Sequence, residues 1–296
     1  MTFKERRRLF WVFTSLFAVL ALPILLYATG WRLTSEFTFK RTGGLFVGIG
    51  ESDVEIFVNG ELEKRTNLLQ SGLFLQGLTP GKISVIAAKV DTWPWAKELE
   101  IEESSVTEAR PFLVPREPKG EMLVHGNYTN IYVMPENELL VLENIKNGIP
   151  IFDFYNPISR SFVSAADAAP LLKSGAFSSI TEDILDSRER VKVSIANSGN
   201  EITSEWISDK PLPYFFEKRG EISVFKSRAP VRGIEFYPGR RDVILLTVEN
   251  GIFALELDGR GTRNFQPIYK GKNPTFAILG NLIYILDDGR LFEVKL

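Results

Sequence analysis

The chain has no cysteine, which excludes disulfide bridges and thiolate metal sites. It has one histidine, His125, so a mechanism that needs imidazole as a base, or several imidazoles around a metal, has almost nothing to draw on. His125 itself reads as a residue at a strand end beside a domain boundary. An excess of charge of one sign is missing too. Thirty-five basic and 37 acidic residues give a net charge of −2, with no general positive field for nucleic acid. Beyond the first thirty residues, helical periodicity is nearly absent. With 44% hydrophobic residues and 22 phenylalanines, stability must come from apolar cores built on strands.

The one long uncharged run is Leu9–Thr29. At about 1.5 Å rise per residue it reaches roughly 30 Å, the thickness of a bilayer's hydrocarbon core. It predicts a single membrane-spanning helix over residues 9–30, in which Pro23 is tolerable, with the lipid bilayer as its partner. Trp11, Tyr27 and Trp31 stand near its two ends, as interfacial aromatics do. Lys4, Arg6, Arg7 and Arg8 precede it, so residues 1–8 are expected as a cytoplasmic tail and the bulk of the chain as extracytoplasmic. The run is longer than a secretory signal's apolar core and ends without a small-x-small site, which favours an uncleaved signal-anchor. Residues 31–43 are short and polar, and read as a juxtamembrane spacer.

From Gly44 the pattern changes to alternation with period two: Val54–Val58, Lys82–Ala87, Leu99–Ile101 and Phe112–Val114. Asn59-Gly60 and Thr79-Pro80-Gly81 separate these runs as turns, because Asn-Gly accepts positive φ and Pro presets the angle before Gly. The pattern predicts a small antiparallel β-sandwich over 44–115. The strand Asp53–Val58 ending in Asn59-Gly60, the run Gly77-Leu78-Thr79-Pro80-Gly81 leading into Lys82–Val85, and the aromatic Trp93-Pro94-Trp95 together resemble the PEGA domain, a compact bacterial β-sandwich of surface and envelope proteins. The Pro-Glu-Gly-Ala of that family is absent, with Gly50–Asp53 in its place, and Thr66-Asn67 stands where Thr-Pro is usual. The resemblance implies an extracytoplasmic module for spacing or binding, and it brings no catalytic residue.

Val114–Gly120, with two prolines, three charges and a glycine, interrupts both strand and helix and marks a domain boundary. Beyond it, strand patterns recur to the end of the chain. Ser164–Lys173 is the one helical candidate, with Ser164 as N-cap and Gly175 as stop. Arg232–Tyr269 carries four strands in about forty residues, the period of a propeller blade, with turns at Pro238-Gly239, Asn250-Gly251 and Asp258-Gly259. A last unit, Thr275–Leu296, turns at Gly280-Asn281 and Asp288-Gly289 and lacks its fourth strand, which Met122–Val124 can supply. Together with looser units at 128–163 and 180–225 this predicts a propeller-like domain of about four blades over 120–296. An open β-solenoid or sandwich is the alternative.

The fold class is therefore all-β behind one membrane helix. Candidate chemistry is thin. Gly44, Gly48 and Gly50 lack the Gly-Lys-Ser/Thr of a phosphate loop. Asp287-Asp288-Gly289 and Asp258-Gly259 are read as hairpin turns and not as calcium ligands. Glu182, Asp183, Asp186, Glu201 and Glu205 cluster in sequence, but no spacing selects a glycosidase pair among them, and with 37 acids in the chain they are read as a solvated face. Arg240-Arg241 is a basic turn that an anionic polymer could meet, but it is read as a solvent-facing loop. Trp93 and Trp95 could form a platform for a sugar ring, although one of them is expected in the sandwich core. The sequence thus points to a non-catalytic binding or envelope-organising protein, without cofactor, metal or nucleic acid, whose partner is an envelope protein or polysaccharide. The alternative is a cell-wall carbohydrate hydrolase using paired carboxylates in the distal domain.

Overall fold

A computed structural model describes residues 3–28, 30–33, 39–67, 72–174 and 183–295. The chain is mostly β, with one N-terminal apolar helix and several separate sheets. It divides into two compact units: Met1–Ala87 with Glu98–Pro111, and Ala88–Lys97 with Phe112–Leu296. These limits depart from the expected 44–115 and 120–296. The ten-residue stretch 88–97 and the residues from Phe112 onward group with the C-terminal unit, for reasons of side-chain bonding given below.

In the first unit, α1 (Phe3–Ala28) runs unbroken through Pro23. Residues 6–28 are long and apolar enough to cross a membrane, and the apolar side chains stand exposed along the whole length. The helix begins before Leu9 because Lys, Glu and Arg are good helix formers and extend the spiral past its apolar part. The expected spacer is instead a two-stranded ribbon, β1 (Trp31–Leu33) against β2 (Phe39–Arg41), with Trp31 opposite Arg41. Next come β3 (Gly43–Gly48), β4 (Glu55–Val58), β5 (Glu61–Arg65), β6 (Gly72–Leu78), β7 (Gly81–Ala88), β8 (Trp95–Ile101) and β9 (Val106–Ala109). They form two sheets, β6-β3-β9 and β5-β4-β7-β8. Asn59 (φ 51°) and Gly60 (φ 85°) make the expected tight turn between β4 and β5.

Two expectations for this region fail. The sandwich is not wholly antiparallel, since β9 runs parallel to β3, with Leu45 opposite Thr107. Phe112–Val114 is not a strand, although all three residues are buried. Pro111 and Pro115 bracket it and supply no N–H to a ladder. Its anchor is a bond from the Trp93 N–H to the Val114 carbonyl at 2.8 Å.

The second unit contains four four-stranded antiparallel sheets. The first holds β11 (Tyr128–Met134), β12 (Leu139–Lys146), β13 (Ile149–Asn156) and β14 (Ser161–Phe162), followed by α2 (Ala165–Ser174). Ser164 caps α2 as expected, its Oγ accepting from the Asp167 N–H at 3.3 Å. Gly175 lies outside the described residues, as do Ile180 and Glu182. The second sheet holds β15 (Asp183–Leu185), β16 (Val191–Ala196), β17 (Glu201–Trp206) and β18 (Glu221–Lys226). The third holds β19 (Val231–Phe236), β20 (Val243–Val248), β21 (Gly251–Glu256) and β22 (Phe265–Lys270).

The fourth sheet runs β23 (Thr275–Leu279), β24 (Leu282–Asp287), β25 (Arg290–Val294), and its last strand comes from the start of the unit, β10 (Gly120–His125). Met122 stands opposite Phe292 and Val124 opposite Leu291, the pairing that the missing strand called for. Among the first strands of the sheets, β23 lies against both β11 and β19, and β19 lies against β15.

Two turns differ from expectation. At β20–β21 the turn is Glu249-Asn250, because Gly251 already pairs with Val248. Asp258-Gly259 is not a hairpin turn. The chain leaves β21 after Glu256, bonds Leu257 N–H to the Asp242 carbonyl at 2.8 Å, and re-enters the sheet only at Phe265.

Without disulfides, the second unit ties strands together through tyrosines. Tyr128 donates to Asp153 (3.1 Å), Tyr132 to Glu143 (2.7 Å), Tyr269 to Asp287 (3.0 Å) and Tyr284 to Glu293 (3.5 Å). Burial first, and the adjacent carboxylate after it, push each of these phenols up to about 12. Folding thus favours the neutral phenol. The contribution is full below an ordinary tyrosine's value of about 10 and is lost as pH rises through about 12. Absorbance titration of phenolate should show these tyrosines ionising together with unfolding near the upper value. Ionisation in the folded protein near pH 10 would contradict the assignment.

The closing strand makes a second prediction. Leu291 is fully buried at the pairing with Val124, whereas Phe292 is only partly covered. Leu291→Ala should cost about 2–5 kcal/mol in urea unfolding, as large-to-small core changes do. Deleting the residues from Leu291 onward should lower the melting temperature of the whole second unit, and an unchanged melt would mean that β25 is dispensable.

Candidate functional site

The acidic cluster singled out in the sequence falls on the second sheet of the C-terminal unit, and alternation decides how. Ile184, Val193, Ile202, Val224 and Trp206 enter an apolar cluster. The intervening positions carry the polar groups. Asp183, Ser194, Thr203 and Ser223 stand in one cross-strand row, and Lys192, Glu205 and Glu221 in the next. Asp183, Glu201 and Glu205 therefore share a face.

These side chains are largely spent on one another. Lys192 Nζ meets Asp183 at 2.8 Å, and Thr203 Oγ1 donates to Glu221 at 2.7 Å. Glu201 accepts from Ser223 and from Asn197, and Lys226 Nζ approaches it at 3.3 Å. Lys192 first, and the Ser194 hydroxyl next, hold the Asp183 carboxyl below its ordinary value. Ser223 does most to hold Glu201 down. Asp186 is separate from this face. It sits in the β15–β16 turn, where Oδ1 accepts the N–H groups of Arg190 (2.6 Å) and Val191 (2.9 Å). Glu182 lies outside the described residues.

A glycosidase acid must keep its proton at neutral pH, so its pKa has to rise. Asp183 and Glu201 go the opposite way. Among the described residues, the carboxyl that burial does push up is Glu235 on β19, whose Oε1 accepts the Phe236 N–H at 2.9 Å. Sequence reasoning passed over it. The available signal was an acid between Ile234 and Phe236, alternating onto a face shared with Leu245, which is fully buried.

The densest charged site was also missed. Lys97 is fully buried, with Nζ 2.8 Å from Glu256 Oε2, 3.1 Å from the Asp258 carbonyl and 3.6 Å from Asp258 Oδ2. Glu256 in turn accepts from Trp95 Nε1 (3.1 Å) and Asn264 Nδ2 (2.9 Å). Arg260 grips Asp258 through Nε (3.0 Å) and Nη2 (2.8 Å). Arg240 grips Asp242 in the same way, at 2.9 and 2.6 Å. Tyr214 donates to Asp242, and burial drives its phenol far above the ordinary value.

Three cations and three carboxylates balance here. Such a group holds backbone segments in place, because every charge already has the partner that repays its desolvation. The network also corrects three expectations. Trp95 groups with the second unit, where its indole meets Glu256; Asp258 is an ion-pair anchor; and Arg240 is not a free basic turn. Asp287, expected only as a turn residue, is buried and accepts from Tyr269 and from the backbone N–H of Asn273 at 2.9 Å. His125 is exposed at the end of β10, opposite Arg290. Among the described residues, no group of three or more His, Asp or Glu side chains is placed to hold a metal ion.

No protein-family model and no curated protein matches the chain. Solved structures give only low likenesses. The Cps50 (Swd1) β-propeller domain of Myceliophteria thermophila is 12% identical at a TM-score of 0.26, covering 57% of this chain and 54% of its own length. A candidate 6-phosphogluconolactonase from Bacteroides fragilis is 11% identical at 0.27, with 85% and 82% covered. TolB from Acinetobacter baumannii is 11% identical at 0.20, with 74% and 54% covered. TM-scores this low transfer neither architecture nor activity to the chain.

The ion network yields a prediction. Lys97→Met leaves Glu256 buried without its cation and should cost about 3–5 kcal/mol in urea unfolding. Lys97→Met combined with Glu256→Gln removes the stranded charge while keeping an acceptor for Trp95, so it should be more stable than the single variant. A single variant that loses under about 1 kcal/mol would mean that the site is solvated in solution.

Proposed function

We propose that this is a non-catalytic, single-pass membrane protein that carries β-modules on the extracytoplasmic side and uses them to bind or organise envelope components. In this reading α1 is a signal-anchor with its N-terminus in the cytoplasm, residues 44–115 are a PEGA-like sandwich, and residues 120–296 are a propeller-like domain of about four blades. Four consecutive four-stranded sheets, with β10 completing the last from the other end of the unit, support the ring. The basic residues Lys4, Arg6, Arg7 and Arg8 support the orientation.

The observation that carries the non-catalytic reading is that the carboxylates of the two charged sites already have partners. Asp183 and Glu201 are held ionised by hydroxyl and ammonium donors, and the buried carboxylates Glu256, Asp258 and Asp242 are each neutralised by a cation. On the second sheet Asp183, Glu221, Ser223 and Lys226 stand exposed, side chains that a polar polymer could meet without being transformed. The hydrolase alternative would use, as one of its two carboxylates, Glu235, which burial pushes up.

The test is topology together with capture. Protease added to intact cells should remove a C-terminal tag and spare an N-terminal one; the reverse pattern would sink the orientation. Crosslinking the full-length protein on cells should recover envelope protein or polysaccharide. Release of sugar from cell-wall material that disappears in Glu235→Gln would replace binding with hydrolysis.

A further inference from the structure

The first unit meets its membrane helix without slack. Both the backbone N–H and the Oγ1 of Thr42 bond the Gly30 carbonyl, at 3.0 and 2.9 Å, and the Thr42 carbonyl accepts the Ser104 N–H at 3.1 Å. Arg32 reaches back to the Tyr27 carbonyl at 2.7 Å and lies 3.7 Å over the Tyr27 ring. A Cβ on Gly77 of β6 would come within 3.4 Å of Arg32 Nε, so this arginine also packs over the β6-β3-β9 sheet. The sheet is therefore fixed at the end of α1 by hydrogen bonds, two residues beyond the last helical position.

That sheet has an uncovered apolar face. Phe46 is 36% exposed, Phe74 49% and Val106 53%, and with Glu108 they line a groove of about 490 Å³. Phe46 stands directly opposite Phe74 on one side and Glu108 on the other. Glycines make the floor flat. A Cβ on Gly48 would meet the Phe46 ring at 3.1 Å, and one on Gly44 would meet Phe74 at 3.6 Å and Val106 at 3.5 Å. The rings thus lie over bare backbone. Glu108 presents no bare charge, because Arg110 Nε pairs with it at 2.5 Å.

A strand rises about 3.3 Å per residue, so Phe46, four residues past Thr42, lies within about 13 Å of the clamp at the helix end. The interfacial layer beyond the hydrocarbon core is several ångströms deep on each side, and it is where aromatic side chains concentrate. An apolar face held this close to the exit of an apolar helix continues the helix's own lipid contact. Arg32 stands at Gly77 of β6, and Arg41, on the ribbon that leads into β3, lies 5.2 Å from the Trp31 ring. They supply the positive charge that lipid phosphates would meet.

We propose that the exposed face of the β6-β3-β9 sheet, with Phe46, Phe74 and Val106, rests in the headgroup–acyl boundary of the bilayer that α1 crosses, with Arg32 and Arg41 on lipid phosphates. This rests on the membrane-anchored reading of α1. It makes the first unit a membrane-seated base rather than a freely tumbling spacer.

The absence of native cysteine permits a direct test. Single cysteines labelled with an environment-sensitive fluorophore would be placed at Leu16 in the helix, at Phe74 and, separately, Val106 on the sheet face, and at Glu63 on β5 of the other sheet. The full-length variants would be reconstituted in phosphatidylcholine–phosphatidylglycerol nanodiscs, with lipids brominated high on the acyl chain. Blue-shifted, quenched emission is expected at Leu16, Phe74 and Val106 and not at Glu63. Val106→Cys, at a more exposed position, guards against misfolding of Phe74→Cys. If Leu16 is quenched while both sheet-face labels behave like Glu63, this inference alone is overturned. An unquenched Leu16 would overturn the anchor reading and this inference with it.

Discussion

Backbone pairing at the edges of sheets is the constraint that the second unit is built around. A sheet laid down hairpin by hairpin ends in strands whose N–H and C=O groups point outward, and an exposed edge invites pairing with another chain. The fourth sheet would end at β25 if the chain only ran forward. Instead β10, laid down first, pairs with β25 from Gly120–Val294 to His125–Arg290. The two ends of the unit are thereby held in one sheet, and Leu291, buried at that pairing, packs with Leu140, Leu142 and Tyr155 of the first sheet. The backbone closure and the apolar closure are the same event, so neither the start nor the end of the unit can fray without exposing both.

Buried charge is the second fixed point, and it works differently from apolar packing. An apolar contact tolerates small displacements, whereas Lys97 between Glu256 and Asp258 does not, because a shift that breaks one ion pair leaves a charge in a dry site. The acceptors come from the end of β21 and the loop beyond it, where Asn264 also holds Glu256 and Arg260 also holds Asp258. Position 97 is consequently specified by geometry as well as by burial. This is why 88–97 belongs with Phe112–Leu296 although neighbours in sequence on both sides belong elsewhere.

What could be read from the sequence followed from local rules. Asn59-Gly60, the Ser164 cap and the apolar strand runs of the third and fourth sheets depend on residues a few positions apart, and they appear where expected. The β10–β25 pairing could be inferred because a count of strands came out one short. The features that went unread depend on distant partners. The β1–β2 ribbon has only three residues on each side, too few for a period, and β9 pairs in parallel with a strand some sixty positions earlier in the chain. Lys97 carried a legible hint, since Trp95, Leu99 and Ile101 alternate inward around it, but nothing local names Glu256 as its partner. Asp258-Gly259 has the composition of a hairpin turn and was overruled by ion pairs that only the folded chain can form.

The polar face of the second sheet also has a structural cause. Sheets stacked side by side normally oblige each other to be apolar on both faces, since each must cover its neighbour. Here the first sheet buries Met134, Leu139, Val141 and Phe154 against Val163, Ala168 and Leu171, so α2 and the residues leading into it do the covering. The apolar face of the second sheet is meanwhile packed with Ile234, Phe236, Ile244 and Leu246 of the third. Its opposite face is thus released from the demand for apolar residues, and Asp183, Ser194, Thr203, Glu205, Glu221 and Ser223 can stand there without stranding a charge in a core. The ten-residue helix α2 covers the first sheet where a neighbouring sheet's apolar face would otherwise be required. In the proposed reading, the polar face of the second sheet is where a polar partner would be held.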